Sequence, residues 1–304
     1  MDFSPLSYVA LRGHSFLEDA MSAEFKSFFK TVVGNEGSLC QYPTRLDTYG
    51  CGCEHDCAYC YAKSLLAFRG LWDAKDPKVA SLDAIKKKIK RIEPGTILRL
   101  GGMTDCLQPA ESRHGVTKAT IDLLNDADIG YLIVTKSHLI GTDEYLKRLD
   151  SKLAHVQITV TNTDDKAALS YERCSLSSKR LDAAVKLQDA GIDVAIRLSP
   201  FVSEFIDPGV IATTGVKKIV VEFLRINHWI EKWIGSLIDM TPYTLKRGGY
   251  RHLPLEEKIR RLDALRAALP GCEFTVCEDV PEHWAYWRDN VNVNRNDCCN
   301  LRRM

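Results

Sequence analysis

Three cysteines, Cys53, Cys57 and Cys60, fall within eight residues in the stretch YGCGCEHDCAYCYA, at the spacing C-x3-C-x2-C. Few sequence features constrain a chain more. Three thiolates this close in a glycine-containing loop can converge on one corner of a cube. They can ligate three irons of a [4Fe–4S] cluster and leave the fourth open. Zinc is the competing metal, but its structural sites take four closed ligands, usually as two separated pairs or with a histidine. His55 lies inside the spacing and is too near its neighbours to complete a regular tetrahedron. A chance triple in a cysteine-rich loop is the third reading.

The wider composition frames that loop. The chain has 304 residues and eleven cysteines, an odd number and too few for a disulfide scaffold. Its first residues, MDFSPLSYVALRGHSF, lack the basic start and continuous apolar run of an export signal. No apolar run reaches the ~18 residues of a membrane span. The expectation is a cytoplasmic protein whose thiols are reduced and serve metal ligation or catalysis. Lys+Arg 41 against Asp+Glu 40 leaves a net charge of +1. That excludes a global basic field of the kind that drives non-specific nucleic-acid binding.

Six β-rich runs alternate with amphipathic stretches. Strands are expected over 44–50, 96–102, 130–136, 155–161, 193–199 and 217–224, and helices over 82–92, 116–127, 142–149 and 178–190. Strands each followed by a helix or loop imply parallel pairing through right-handed crossovers. Continuous Val/Ile/Leu runs fit strands covered on both faces. The first run leads straight into the cysteine loop, placing it at the C-terminal strand edge where α/β barrels hold their chemistry. Residues 1–43 read as an N-terminal extension, 44–224 as the α/β unit, and 225–304 as a C-terminal cap or appendage with its own strand over 273–277.

The C-x3-C-x2-C spacing, with Tyr59 before the last cysteine, resembles the cluster loop of the radical S-adenosylmethionine (SAM) superfamily. That resemblance implies an α/β fold with a partial (β/α)6 barrel. It implies an enzyme whose [4Fe–4S] cluster chelates SAM and splits it to a 5′-deoxyadenosyl radical. A low-potential electron donor of flavodoxin or ferredoxin type is then a partner. Four further strings narrow the likeness: T-D-x-x-Q-P-x-E (104–111), V-T-K-S (134–137), I-T-V-T (158–161) and Y-E-R…S-K-R-L…L-x-x-A-G-I (171–192). Together they are similar to spore photoproduct lyase and its DNA-repair-photolyase-like relatives, over about residues 44–200.

Carried over by position, the Tyr59 backbone meets the adenine amino group, and Gly101, Gly102, Thr104 and Asp105 hold the SAM amino group. Lys136 meets the SAM carboxylate, and Thr159 or Thr161 the ribose hydroxyls. Ordinary strand threonines, a solvated lysine and a turn-capping aspartate are the plainer alternatives. Arg197 and Glu222 point into the barrel, toward a ligand or toward each other as an ion pair. Tyr59 and Tyr61 flank the last cluster cysteine, either for hydrogen transfer or for packing around the cofactor. The family's hydrogen-donating cysteine precedes the aspartate matched by Asp105. Here residues 101–103 are Gly-Gly-Met, and Cys106, on the other side, is the nearby thiol.

Cys272, Cys277, Cys298 and Cys299 offer a second cluster or zinc site, a substrate-facing thiol, or simply buried thiols. The family analogy implies a thymine-like base in DNA, modified, isomerised or repaired. KKKIKR (86–91), the basic stretch 246–266, and Arg288, Arg295, Arg302 and Arg303 beside Trp284, Tyr286 and Trp287 can grip phosphates and stack a splayed base. A duplex base has to be flipped out to be reached. Two other functions remain open. One is the same radical chemistry on a peptide or small metabolite, which the near-zero charge favours. The other is a non-catalytic iron–sulfur or zinc-binding module.

Overall fold

The computed structural model describes residues 39–93 and 95–302, together with Phe25 and the strand Phe28–Phe29. Most of the expected N-terminal extension, and Arg303, lie outside the described residues. The strands are β1 (Phe28–Phe29), β2 (Arg45–Leu46), β3 (Tyr49–Gly50), β4 (Lys78–Val79), β5 (Ile97–Leu100), β6 (Gly130–Thr135), β7 (Ala154–Thr159), β8 (Asp193–Phe201), β9 (Lys218–Phe223), β10 (Leu245–Arg247), β11 (Tyr250–His252) and β12 (Glu273–Val276).

One sheet runs in the order β1-β2-β5-β6-β7-β8-β9-β12. From β2 to β12 every pairing is parallel, and β1 adds an antiparallel edge. Its end strands do not pair with each other among the described residues, so the sheet is a partial barrel, as expected from the alternation of runs. Helices Val116–Asp126, Ser177–Asp189 and Leu255–Ala268 fill three of the crossovers. Strand β7 is buried at all six positions, because helices cover one face and the barrel interior the other. Helix Ser177–Asp189 buries Arg180, Leu181, Ala184 and Leu187 along one stripe, the 3.6-residue period of a core-facing helix. Among the described residues no helix is long and apolar enough to cross a membrane.

Two expectations about strands change. The run 44–50 is broken: β2 belongs to the main sheet, whereas β3 leaves it to pair antiparallel with β4. The break falls at Asp47, a buried carboxylate that accepts the N–H groups of Gly102 (2.6 Å) and Met103 (3.1 Å) from the end of β5. The strand placed in a C-terminal appendage is instead the outer member of the barrel sheet, with Glu273 opposite Lys218 and Val276 opposite Val221. It covers the edge that β9 would otherwise leave open.

The segment Asp297–Arg302 fills the base of the barrel. Gln157 donates to the Cys299 carbonyl (3.2 Å), Lys218 to the Asn300 carbonyl (2.8 Å), and the Arg302 N–H to Asp193 (2.7 Å). Asp193, Lys218 and Glu273 stand at the N-terminal ends of their strands, so this seal lies opposite the edge where the cysteine loop sits.

Candidate active site

The cysteine loop gets its shape from local turns. Asp56 adopts φ +42°, in the left-handed region that Asp tolerates better than most residues, and the chain folds back between Cys53 and Cys57. The Asp56 N–H donates to the Cys53 carbonyl (3.0 Å) and the Cys60 N–H to the Cys57 carbonyl (3.2 Å). Cys60 then caps helix Tyr61–Leu66, its sulfur accepting the Lys63 N–H at 3.4 Å. Burial pushes the Cys60 thiol up to about 11. The Cys57 thiol is brought down to about 7, first by a hydrogen bond from Cys174, against burial, with Lys136 adding its charge. A cation binding here therefore has protons to displace.

All three thiols line one cleft at the C-terminal edge of the sheet, together with Gly101, Gly102, Lys136, Thr159 and Arg197. Gly101 has φ +81°, a conformation that favours glycine, and this lets β5 turn its backbone toward the cleft. The Lys136 ammonium lies 5.6 Å from the Tyr59 ring centroid. Thr159 is 1% exposed, and its hydroxyl lines the cleft with no hydrogen-bond partner among the described residues. Three thiols along one cleft, with an ammonium and a buried orphan hydroxyl, are a donor set suited to a cluster and a polar, carboxylate-bearing cofactor.

Other expected site residues are used differently. Asp105 lines the cleft, but its carboxylate is engaged by the Thr135 hydroxyl, the Lys136 and Leu107 N–H groups, and His55 at 3.2 Å. Burial alone would raise its pKa. The His55 charge, then the two backbone donors, outweigh burial and hold it at about 2. Asp105 thus anchors the loop, and the Thr104 hydroxyl donates to the Tyr49 carbonyl. Thr161 turns away from the cleft to donate to Glu172. Cys106 is fully buried and absent from the cleft lining, with its carbonyl taking the Thr117 hydroxyl, so it is a core thiol. Arg197 lines the cleft as one half of the ion pair with Glu222 and also holds Gln157. The Tyr59 hydroxyl donates to Glu172, whereas that of Tyr61 reaches the Gly102 carbonyl at 3.1 Å and closes one wall.

The C-terminal cysteines do not assemble as a foursome. The Cys272 thiol faces the Val216 carbonyl at 3.9 Å, whereas Cys277, Cys298 and Cys299 are brought together, the Cys298 thiol hydrogen-bonding with both of the others. Among the described residues, the groups close enough to share a single ion are Cys57–Glu172–Cys174 and His252–Glu278–Asp279, which include Cys57 but neither Cys53, Cys60 nor any C-terminal cysteine. In the second group Lys258 and Arg225 already pair the carboxylates. Trp287, expected as a stacking surface, is fully buried against Phe223. The lysines of KKKIKR lie exposed on helix Leu82–Ile89 and just past it, while Ile85 and Ile89 hold the helix down. Asp47 and Cys174 have no role in the sequence reading, and Glu172 lies in the Y-E-R string without a role assigned to it. An aspartate inside a β-rich run was the one available signal.

A thiol loop at the C-terminal edge of a partial parallel barrel is the arrangement of a radical SAM enzyme. The chain belongs to the radical SAM superfamily, whose family pattern matches residues 48–202, about half its length. Membership implies a [4Fe–4S] cluster and SAM as cofactors, and an external reductant. Among solved structures, spore photoproduct lyase complexed with dinucleoside spore photoproduct superposes with a TM-score of 0.62 at 18% identity, covering 90% of this chain and 87% of that one. A mutant of the same lyase with bound AdoMet and dinucleoside spore photoproduct gives 0.59 at 18% identity, covering 84% and 79%. SuiB of Streptococcus suis bound to precursor peptide SuiA gives 0.54 at 13% identity, covering 80% of this chain and 50% of that one. At these identities the likeness is one of fold. No curated protein matches the chain by sequence.

Proposed function

We propose that this radical SAM enzyme abstracts a hydrogen atom from a nucleic-acid base, a thymine-like base in DNA, which leaves modified, isomerised or repaired. One observation carries the radical chemistry: Cys53, Cys57 and Cys60 line the same cleft as Lys136, the Gly101–Gly102 backbone and Thr159 with its unpartnered hydroxyl. The three thiols are the cluster ligands. Lys136 and Thr159 hold the SAM carboxylate and ribose, and the glycine backbone holds its amino group. When bound, the cluster and SAM supply a 5′-deoxyadenosyl radical, fed by an electron donor of flavodoxin or ferredoxin type.

The chain's own residues orient and enclose. Asp47 fixes the N–H groups of Gly102 and Met103, so the end of β5 presents a preset edge. The Arg197–Glu222 pair forms a charge-balanced wall. At the mouth, the Arg225 guanidinium lies 4.6 Å from the Tyr61 ring centroid and 5.4 Å from that of Tyr250. The same guanidinium pairs with Asp279 at 2.6 Å, so the two tyrosine rings and the ion pair hold one another in place. The overall likeness to a lyase crystallised with a dinucleoside photoproduct supports the same substrate class.

Anaerobically reconstituted protein given SAM and dithionite should release 5′-deoxyadenosine, and the Cys57→Ala variant should not. If no reductant yields 5′-deoxyadenosine, the radical reading fails. Binding to a single-stranded DNA oligomer should weaken steeply as salt rises. No binding at low salt removes the base substrate and leaves a peptide or small metabolite.

A further inference from the structure

Cys174 stands outside the C-x3-C-x2-C motif, 117 residues from Cys57, yet its Sγ lies 3.7 Å from the Cys57 Sγ. The placement is built into the backbone. The Ala58 N–H donates to the Tyr171 carbonyl (2.8 Å) and the Arg173 N–H to the His55 carbonyl (2.7 Å), stitching this turn to the cluster loop on both sides of Cys57. The ligand atoms of Cys57, Glu172 and Cys174 all lie within 4.8 Å of one another. Glu172 is fully engaged, since the Tyr59 and Thr161 hydroxyls and the Arg180 guanidinium all donate to its carboxylate. The thiol of Cys174 is what remains facing Cys57.

We propose that Cys174 is a positioning residue for the cluster, its S–H donating to the Cys57 sulfur and raising the reduction potential. This rests on the reading that Cys57 is an iron ligand. A ligating cysteine is a thiolate without a proton, so within this pair only Cys174 has hydrogen to give. The sign follows from charge. Reduction makes an anionic cluster more negative, and a hydrogen bond to a ligand sulfur stabilises the more negative state more.

The test is a potentiometric titration of reconstituted wild type, Cys174→Ala and Cys174→Ser, followed by the EPR signal of the reduced cluster, with iron measured first. Cys174→Ala should keep about four irons per chain. Its equilibrium constant for reduction should fall about tenfold, a midpoint lower by about 59 mV for one electron. Cys174→Ser, which retains an O–H donor, should recover most of that difference. Equal midpoints in all three proteins overturn the proposal. Loss of iron from Cys174→Ala also overturns it, because Cys174 would then be a ligand. Wild type that takes up no iron, or Cys57→Ala with its cluster intact, instead sinks the reading beneath it.

Discussion

The Thr159 hydroxyl is buried with no hydrogen-bond partner among the described residues, a costly state for a polar group. Thr159→Val keeps shape and volume while removing the donor. Its affinity for SAM, measured by calorimetry on the reconstituted enzyme, should drop about tenfold, the ~1.5 kcal/mol of one hydrogen bond. An unchanged affinity would move Thr159 out of the site. At this scale the sequence was legible where chemistry depends on short spacing. Cys53, Cys57 and Cys60 share one loop, so their place along a single cleft could be read from the chain alone. Cys174 and Asp47 reach the site through tertiary contact, and no local pattern announces that. Thr159 and Thr161 are two residues apart on alternating sequence positions with identical β-propensity; only the packing of Glu172 against Thr161 separates their roles.

Elements were legible in proportion to how far one period governs them. β6, β7, β8 and β9 are long Val/Ile-rich runs buried on both faces, and each falls within a residue or two of expectation. The run 44–50 reads as one strand although Asp47 interrupts its β-propensity. Its division depends on a carboxylate reaching another strand's N–H groups. Helix Pro281–Asn290 shows the converse: EHWAYWRDN places aromatics on several faces, and the sequence does not reveal which ring is interior. Contact between elements also sets a size limit at Gly141, in the turn His138–Gly141. A Cβ there would meet the Ala183 Cβ at 2.6 Å and its Cα at 2.7 Å, on helix Ser177–Asp189. Gly141→Ala should force turn and helix apart at a cost of about 1–3 kcal/mol. A lower urea midpoint with an unchanged slope would show it, whereas an unchanged midpoint would mean the interface yields freely.

At the scale of the whole molecule, the base carries a titratable junction. Burial alone would raise the Asp193 carboxyl, but hydrogen bonds from His155, the Arg302 N–H and Lys218, with the Lys218 charge, hold it well below the usual carboxylate range. With the folded value below the unfolded one of about 3.9, the junction stabilises the protein above that pH. The contribution is lost as pH falls below it. Acid unfolding of Asp193→Asn should therefore be less steep below about pH 4 than that of wild type. Matching profiles would show that the junction adds nothing. No sequence pattern suggested this closure, because it joins the starts of β8 and β9 to a segment that reads as loop.

Because Asp297–Arg302 fill one end of the barrel, the cleft lined by Thr159 and Lys136 lies toward the other end. With the sheet plugged at one end, the loops at the other end can differ in length and composition without loosening the strands beneath them.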